Sequence, residues 1–108
     1  MRNEFGVLLD RNGYAPSILD TEPGRCFICG RTAETERHEP FGAALRSKSK
    51  ALGLWVNLCR ECHRTGAESA HKCKETADRL RAECEAAAME KYGWTMDEWR
   101  ERFYKNYL

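Results

Sequence analysis

GLWVNLCRECH, residues 53–63, joins an apolar run directly to a CxxC pair and a histidine. Val56 and the leucines around it predict a buried strand that delivers the cysteine pair at its end. The earlier CFICG, residues 26–30, supplies a second CxxC pair with a glycine suited to a tight turn. Because a two-residue spacer lets one turn direct both thiolates at the same ion, the two pairs predict a zinc site. Its ligands would be Cys26, Cys29, Cys59 and Cys62.

Disulfides and a redox-active CxxC are the alternatives for these pairs. Six cysteines permit disulfides, but Met1–Leu9 has neither the basic start nor the apolar run of a secretory signal. A soluble protein in a reducing compartment is therefore expected, where disulfides are rare. A redox motif would be expected within a βαβ pattern, which surrounds neither pair. No apolar run approaches the roughly 18 residues of a membrane span, so no membrane partner is expected.

The separation of the two pairs indicates where function should lie. The chain of 108 residues is short enough for one domain that needs a metal or another staple to stabilise a modest core. The 29 residues between Cys29 and Cys59 exceed the roughly 15 to 20 of common zinc ribbons. Zinc would fix both ends of this insertion and hold a site there rigidly.

Positive charge is concentrated in the middle of the chain. The net charge is only +1, but residues 37–74 contain eight Lys and Arg against three Asp and Glu. Such a local excess is the electrostatic footprint of a phosphate-contacting surface. A solvated lysine face is the alternative interpretation.

Local patterns predict the remaining elements. Asn12-Gly13 between two apolar runs is a hairpin signal, although Pro16 weakens the second run. Gly93 is typical of a helix end, and Thr95 with Glu98 forms a capping box. The predicted elements are a strand from about residue 32 that ends near residue 40, a basic helix over 43–52, a strand over 54–58, a helix over 67–92 and a helix that starts after Thr95.

Two further groups of residues predict core packing. Cys73 and Cys84 lie about three helical turns apart on the stripe of Leu80, which favours small buried side chains over a metal or redox pair. An aromatic stripe on the last helix is more typical of a core than of a base-stacking platform. Its members are Met96, Trp99, Phe103 and Tyr107.

All three histidines, His38, His63 and His71, lie in the basic segment. His63 directly follows Cys62, so a zinc knuckle there fixes its position. His38 lies at the end of the inserted strand, which can fold back towards His63 when the zinc site closes. Two imidazoles in this arrangement could hold a divalent ion and leave positions open for water and phosphate. A lone histidine is usually structural, but the convergence favours a functional site.

The segment from Cys26 to His71 resembles the HNH endonucleases, specifically the small phage and prophage type with a four-cysteine zinc site. The likeness rests on His38-Glu39, on the Phe41-Gly42-Ala43 that follows, and on residues 53–63. The resemblance implies an α+β protein with a treble-clef-like ββα-metal core, a structural zinc and C-terminal helices. It divides a single domain over residues 1–108 into an N-terminal extension (1–25), the zinc and ββα-metal core (26–71) and C-terminal helices (72–108).

The resemblance also implies roles for individual residues. Family members place a metal ligand and a general base side by side on the first strand, here His38-Glu39. In the simplest register His38 is the ligand and Glu39 the base; shifted by one, His38 is the base and Arg37 takes the ligand place. His63 matches the helix histidine that binds the ion, and His71 is a second candidate ligand. The family's middle Asn is missing, because Leu54 occupies its usual place.

The implied activity is hydrolysis of DNA phosphodiester bonds in the cytoplasm of a bacterial host, with Mg²⁺ or another divalent ion. The base would take a proton from water while the ion stabilises the phosphate. One alternative is a zinc-stabilised module that binds nucleic acid or a protein partner without cutting, and another is a structural part of an assembly. The expected phosphate-binding residues are Arg37, Arg46, Lys48, Lys50, Arg60 and Arg64.

Overall fold

Two short antiparallel strands carry one residue of each predicted site, His38 and Cys59. The computed structural model describes all 108 residues and places β1 at Thr35–His38 and β2 at Val56–Cys59. Their register sets Thr35 opposite Cys59 and His38 opposite Val56. Both predicted strands are therefore confirmed. β1 is shorter than its predicted range, and β2 begins and ends slightly later than predicted. The pairing brings the histidine of the inserted segment beside the strand that ends in the second cysteine pair.

The connection between the strands is helical. A 3-10 turn, Ala43–Leu45, leads into α1, Arg46–Ala51, which confirms the predicted basic helix. The chain then reverses at Gly53, where φ is +77°. A Cβ at this position would lie 2.4 Å from the carbonyl oxygen of Pro16, so both the backbone conformation and the close approach require glycine. The chain then enters β2.

After β2 the chain forms one π-helical turn, Glu61–Thr65, then α2, Lys74–Tyr92, and α3, Met96–Phe103. The predicted helix start near residue 67 is wrong, since α2 begins at Lys74. Backbone hydrogen bonds hold the segment just before Lys74 against the π turn. The Ala70 amide donates to the Cys62 carbonyl at 2.8 Å and the His71 amide donates to the His63 carbonyl at 3.2 Å. The end of α2 at a left-handed Gly93 and the capping box that begins α3 are both confirmed.

The core has an aliphatic part around β2 and an aromatic part beside α3. Leu54, Val56 and Leu58 are fully buried together with Leu80 and Cys84 of α2. The aromatic part contains Phe41, Trp99 and Phe103, with the Phe41 ring 4.8 Å from that of Phe103. The resulting molecule is a small α+β domain in which Phe41, three residues after His38, is anchored in the core.

The predicted stripes are confirmed only in part. Cys84 is buried, but Cys73 precedes α2 and is only partly buried. Trp99 and Phe103 are buried as expected, whereas Met96 is exposed. Tyr107 lies beyond the end of α3, where its ring packs 5.7 Å from that of Phe41.

The N-terminal hairpin is not formed. The turn itself exists, since the Asp10 carboxylate accepts from the Asn12 and Tyr14 amides. The two flanking runs do not pair, because the second run is bonded elsewhere: the Ala15 amide donates to the Lys50 carbonyl at 3.0 Å. Residues 15–18 thus line the end of α1. None of the helices combines the length and the hydropathy that crossing a membrane requires.

Candidate metal centres

The four predicted cysteines meet at one point. The sulfur atoms of Cys26, Cys29, Cys59 and Cys62 all lie within 4.8 Å of one another. Gly30, with φ of +73°, donates its amide to the Cys26 carbonyl at 2.9 Å and closes the first turn. The Phe27 amide donates to the Asn57 carbonyl at 2.8 Å, which ties this turn to β2 and so to the second pair.

The electrostatics of the thiols fit a bound cation. Burial resists ionisation of Cys59, but hydrogen bonds from the Cys62 backbone and from Arg31 outweigh it and lower the pKa of Cys59 to about 6. Burial and the neighbouring Cys59 and Cys26 thiols raise the pKa of Cys62. Four thiolates cannot crowd together unless a positive ion compensates their charge. The cluster could therefore hold a metal such as zinc, in the four-sulfur set typical of structural sites.

A second cluster contains the three histidines. One ring nitrogen from each of His38, His63 and His71 lies within 4.8 Å of the others. β1 positions His38, the π turn positions His63, and the backbone bond between His71 and His63 brings the third ring alongside. The Nε2 atoms of His63 and His71 are 3.1 Å apart. Three imidazoles on separate segments thus converge in a set that could hold a metal ion.

Glu36 is the residue at this cluster that the sequence reasoning missed. Its Oε1 lies 2.8 Å from His63 Nδ1, and because a carboxylate can only accept, the ring donates there and keeps the lone pair on Nε2, the atom that faces His71. The pKa of Glu36 is lowered, first by this hydrogen bond and then by the nearby charges of His63 and Arg64. A carboxylate behind a histidine is the usual partner of a metal-binding imidazole. Its position two residues before His38, on the same face of β1, was the available signal.

His38 provides an independent test of whether an ion fits. The residue is 8% exposed, and its Nε2 is buried without a hydrogen-bond partner. Burial, followed by the charges of His63 and His71, lowers the pKa of His38 to about 3, so the ring is neutral. A neutral imidazole with an unused lone pair is the form that binds a metal. The unpartnered nitrogen therefore fits a ligand role.

Glu39 lies next to the histidine cluster but outside its donor set. Its carboxylate accepts from Arg46 Nε at 2.8 Å, and its side chain is 7% exposed. It lines a cleft of about 250 Å³ together with the three histidines and with Arg37, Arg46 and Arg64. We call this the front cleft. A negatively charged group bound there would face both the histidines and the arginines.

The predicted phosphate-binding residues are not all in one place. Arg37 borders the front cleft, but its guanidinium is engaged elsewhere: it pairs with Asp10 at 2.9 Å and lies 4.4 Å from the centre of the Tyr14 ring. Lys48 donates to the Arg102 carbonyl at 2.6 Å and lies away from the cleft lining, as does Lys50 over the Tyr14 ring. Arg60 is exposed beside the π turn and does not line the cleft. The arginines of the cleft lining that are not paired with Asp10 are thus Arg46 and Arg64, with Arg37 at the border of the cleft.

Comparisons with known proteins add no functional assignment. The chain matches no protein-family model, no curated protein and no solved structure. The function is therefore inferred from the chemistry of the two clusters and of the surface around them.

Proposed function

We propose that this protein is a metal-dependent endonuclease of the HNH type that hydrolyses phosphodiester bonds of DNA. The observation that carries the proposal is the convergence of three imidazoles, one with a buried unpartnered nitrogen, on a cleft lined by three arginines. The order of elements supports a ββα-metal core, because β1 and β2 are followed by the helical turn that carries His63. The four-cysteine cluster would hold the structural zinc beside it.

The donor set favours one class of ion. Imidazole nitrogens suit Zn²⁺ and Ni²⁺, whereas Mg²⁺ prefers carboxylate and water oxygens. The cluster offers three nitrogens and no carboxylate. We therefore infer that the divalent ion is a transition-metal ion such as Zn²⁺ or Ni²⁺ and not Mg²⁺. Such an ion, when bound, supplies positive charge that stabilises the charge developing on the reacting phosphate.

The protein groups then divide the remaining work. His38, His63 and His71 would hold the ion, with Glu36 orienting His63 through Nδ1. Glu39, at the edge of the front cleft, would accept a proton from the attacking water. Arg46 and Arg64 would hold the DNA phosphates, and such contacts position the strand without reading its sequence. Sequence preference is therefore expected to be weak.

A plasmid nicking assay tests the proposal. Zinc-loaded protein is incubated with supercoiled plasmid and, separately, Ni²⁺, Zn²⁺, Mn²⁺ or Mg²⁺, alongside His38→Ala and His63→Ala purified in the same way. We expect nicking by the wild type with a transition ion and its loss in both variants. Nicking that survives both substitutions would disprove the proposal, because it would not depend on the histidine cluster.

The role of Glu39 is tested separately with Glu39→Gln, which keeps the size and one acceptor oxygen. We expect cleavage at saturating metal to fall by on the order of 10²-fold or more, with Ni²⁺ affinity unchanged. Full activity in this variant would show that a group other than Glu39 is the general base.

A second function is favoured by two observations. The Glu39 carboxylate is already paired with Arg46 and is largely covered, and Leu54 stands where the family has its Asn. The same charged surface could then bind DNA or a protein without cutting. Salt-sensitive DNA binding with no cleavage under any of the four ions would identify this binding module.

A further inference from the structure

A second cleft meets the histidine cluster from the other side. It has a volume of about 460 Å³ and shares His38, Glu39 and His71 with the front cleft. Its lining also includes three basic residues, Lys72, Lys74 and Arg81. We call it the back cleft. The histidine cluster is thus located at the junction of two basic clefts, not at the end of one.

Two of the three cations in the back cleft can reach a ligand. Lys74 is highly exposed and contacts only Asp78, one helical turn further along α2. Lys72 is exposed and touches the Thr65 carbonyl at 3.2 Å. Arg81 is committed instead, because its Nε donates to the Pro40 carbonyl at 2.9 Å and its Nη1 donates to Asp78. Arg81 therefore fixes the wall of the cleft, while the two lysines remain adjustable.

The start of α2 adds further positive potential. The helix has 19 residues, and its N-cap residue, Cys73, lines the back cleft. A helix N-terminus carries a partial positive charge that favours anions.

We propose that the back cleft binds the phosphate next to the scissile one on the same DNA strand, through Lys72 and Lys74. The strand would run from the arginines of the front cleft, across the histidine cluster, to these lysines. This inference rests on the proposed function and extends it. It implies that the preferred substrate has several consecutive phosphates, because a single phosphodiester would contact only the histidine cluster between the two clefts.

Comparison of two substrates distinguishes phosphate binding in the back cleft from the hydrolysis of the phosphodiester bond itself. Bis(p-nitrophenyl) phosphate has one phosphodiester, and a duplex oligonucleotide has many. We compare the wild type with Lys72→Ala/Lys74→Ala and with the control Lys91→Ala, which removes an exposed lysine at the opposite end of α2. We expect kcat/KM for the oligonucleotide to fall on the order of tenfold near 0.1 M salt in the double variant, a larger loss than that for the small diester, and to be unchanged in Lys91→Ala. Equal losses on both substrates, or no loss on the oligonucleotide, would overturn the inference.

If the protein cuts neither substrate, only the nuclease proposal is refuted. The role of the back cleft is then tested by measuring DNA binding. Fluorescence anisotropy of a labelled oligonucleotide is then measured against salt concentration. Removal of the two lysines that hold this one phosphate should reduce the slope of log affinity against log salt by about one, with no change in Lys91→Ala. An unchanged slope in the double variant, or no binding by the wild type, would overturn the inference.

Discussion

Replacing Glu36 by alanine should weaken the binding of a transition-metal ion to the histidine cluster. The carboxylate accepts from His63 Nδ1 at 2.8 Å, so it orients the ring and makes the opposite nitrogen a better donor. Loss of such a partner costs roughly 10- to 100-fold in metal affinity. Because the Glu36 side chain is 48% exposed, water can partly replace it, and we expect about tenfold, or about 1.4 kcal/mol. Arg64, 3.7 Å from the same carboxylate, would add uncompensated positive charge.

The assay is a calorimetric titration with Ni²⁺ after one equivalent of zinc has been added for the cysteines. Glu36→Gln keeps one acceptor oxygen and should recover part of the loss. Glu34→Ala is the matched control, since it removes an exposed carboxylate two residues away from Glu36. Equal Ni²⁺ affinity in wild type and Glu36→Ala would refute the reasoning. An equal loss in Glu34→Ala would also refute it, because net charge alone would then explain the effect.

Three further substitutions test how the fold supports the site, each by urea unfolding of the zinc-loaded protein. Phe41→Ala should cost about 3 to 5 kcal/mol, because the buried ring packs against the aromatic core; a cost below about 1 kcal/mol would contradict this. Gly53→Ala should cost more than Gly24→Ala, since both have positive φ but only Gly53 has a carbonyl 2.4 Å from the added carbon; equal costs would show that the close approach is unimportant. Thr95→Ala should cost about 1 kcal/mol through loss of the capping box, and an unchanged stability would argue against that cap.

The elements with strong local signals were predictable. β2 and α1 follow from apolar and basic runs, and the ends of α2 and α3 follow from Gly93 and Thr95. The start of α2 was not predictable, because helical periodicity continues upstream of Lys74 while tertiary hydrogen bonds to the π turn hold that segment back. The hairpin failed for the same kind of reason: the Ala15 amide finds its partner 35 residues away at Lys50, which no local pattern shows.

The candidate site was also predictable from the sequence only in part. The cysteine pairs were predictable because each CxxC fixes two ligands locally, and the structure brings all four together. The histidines could be named but not placed, since their convergence depends on the strand register and on the backbone bond between His71 and His63. Glu36 was missed because it acts through His63, 27 residues further along the chain. The back cleft depends on where α2 begins, which the sequence pattern placed too early.

The most direct test of a second metal centre is anomalous diffraction from a crystal of the zinc-loaded protein soaked in Ni²⁺. Data collected at the absorption edges of the two metals identify each ion separately. We predict zinc among the four cysteine sulfurs and nickel between the ring nitrogens of His38, His63 and His71. Zinc at the cysteines with no anomalous peak between the three imidazoles would contradict the account.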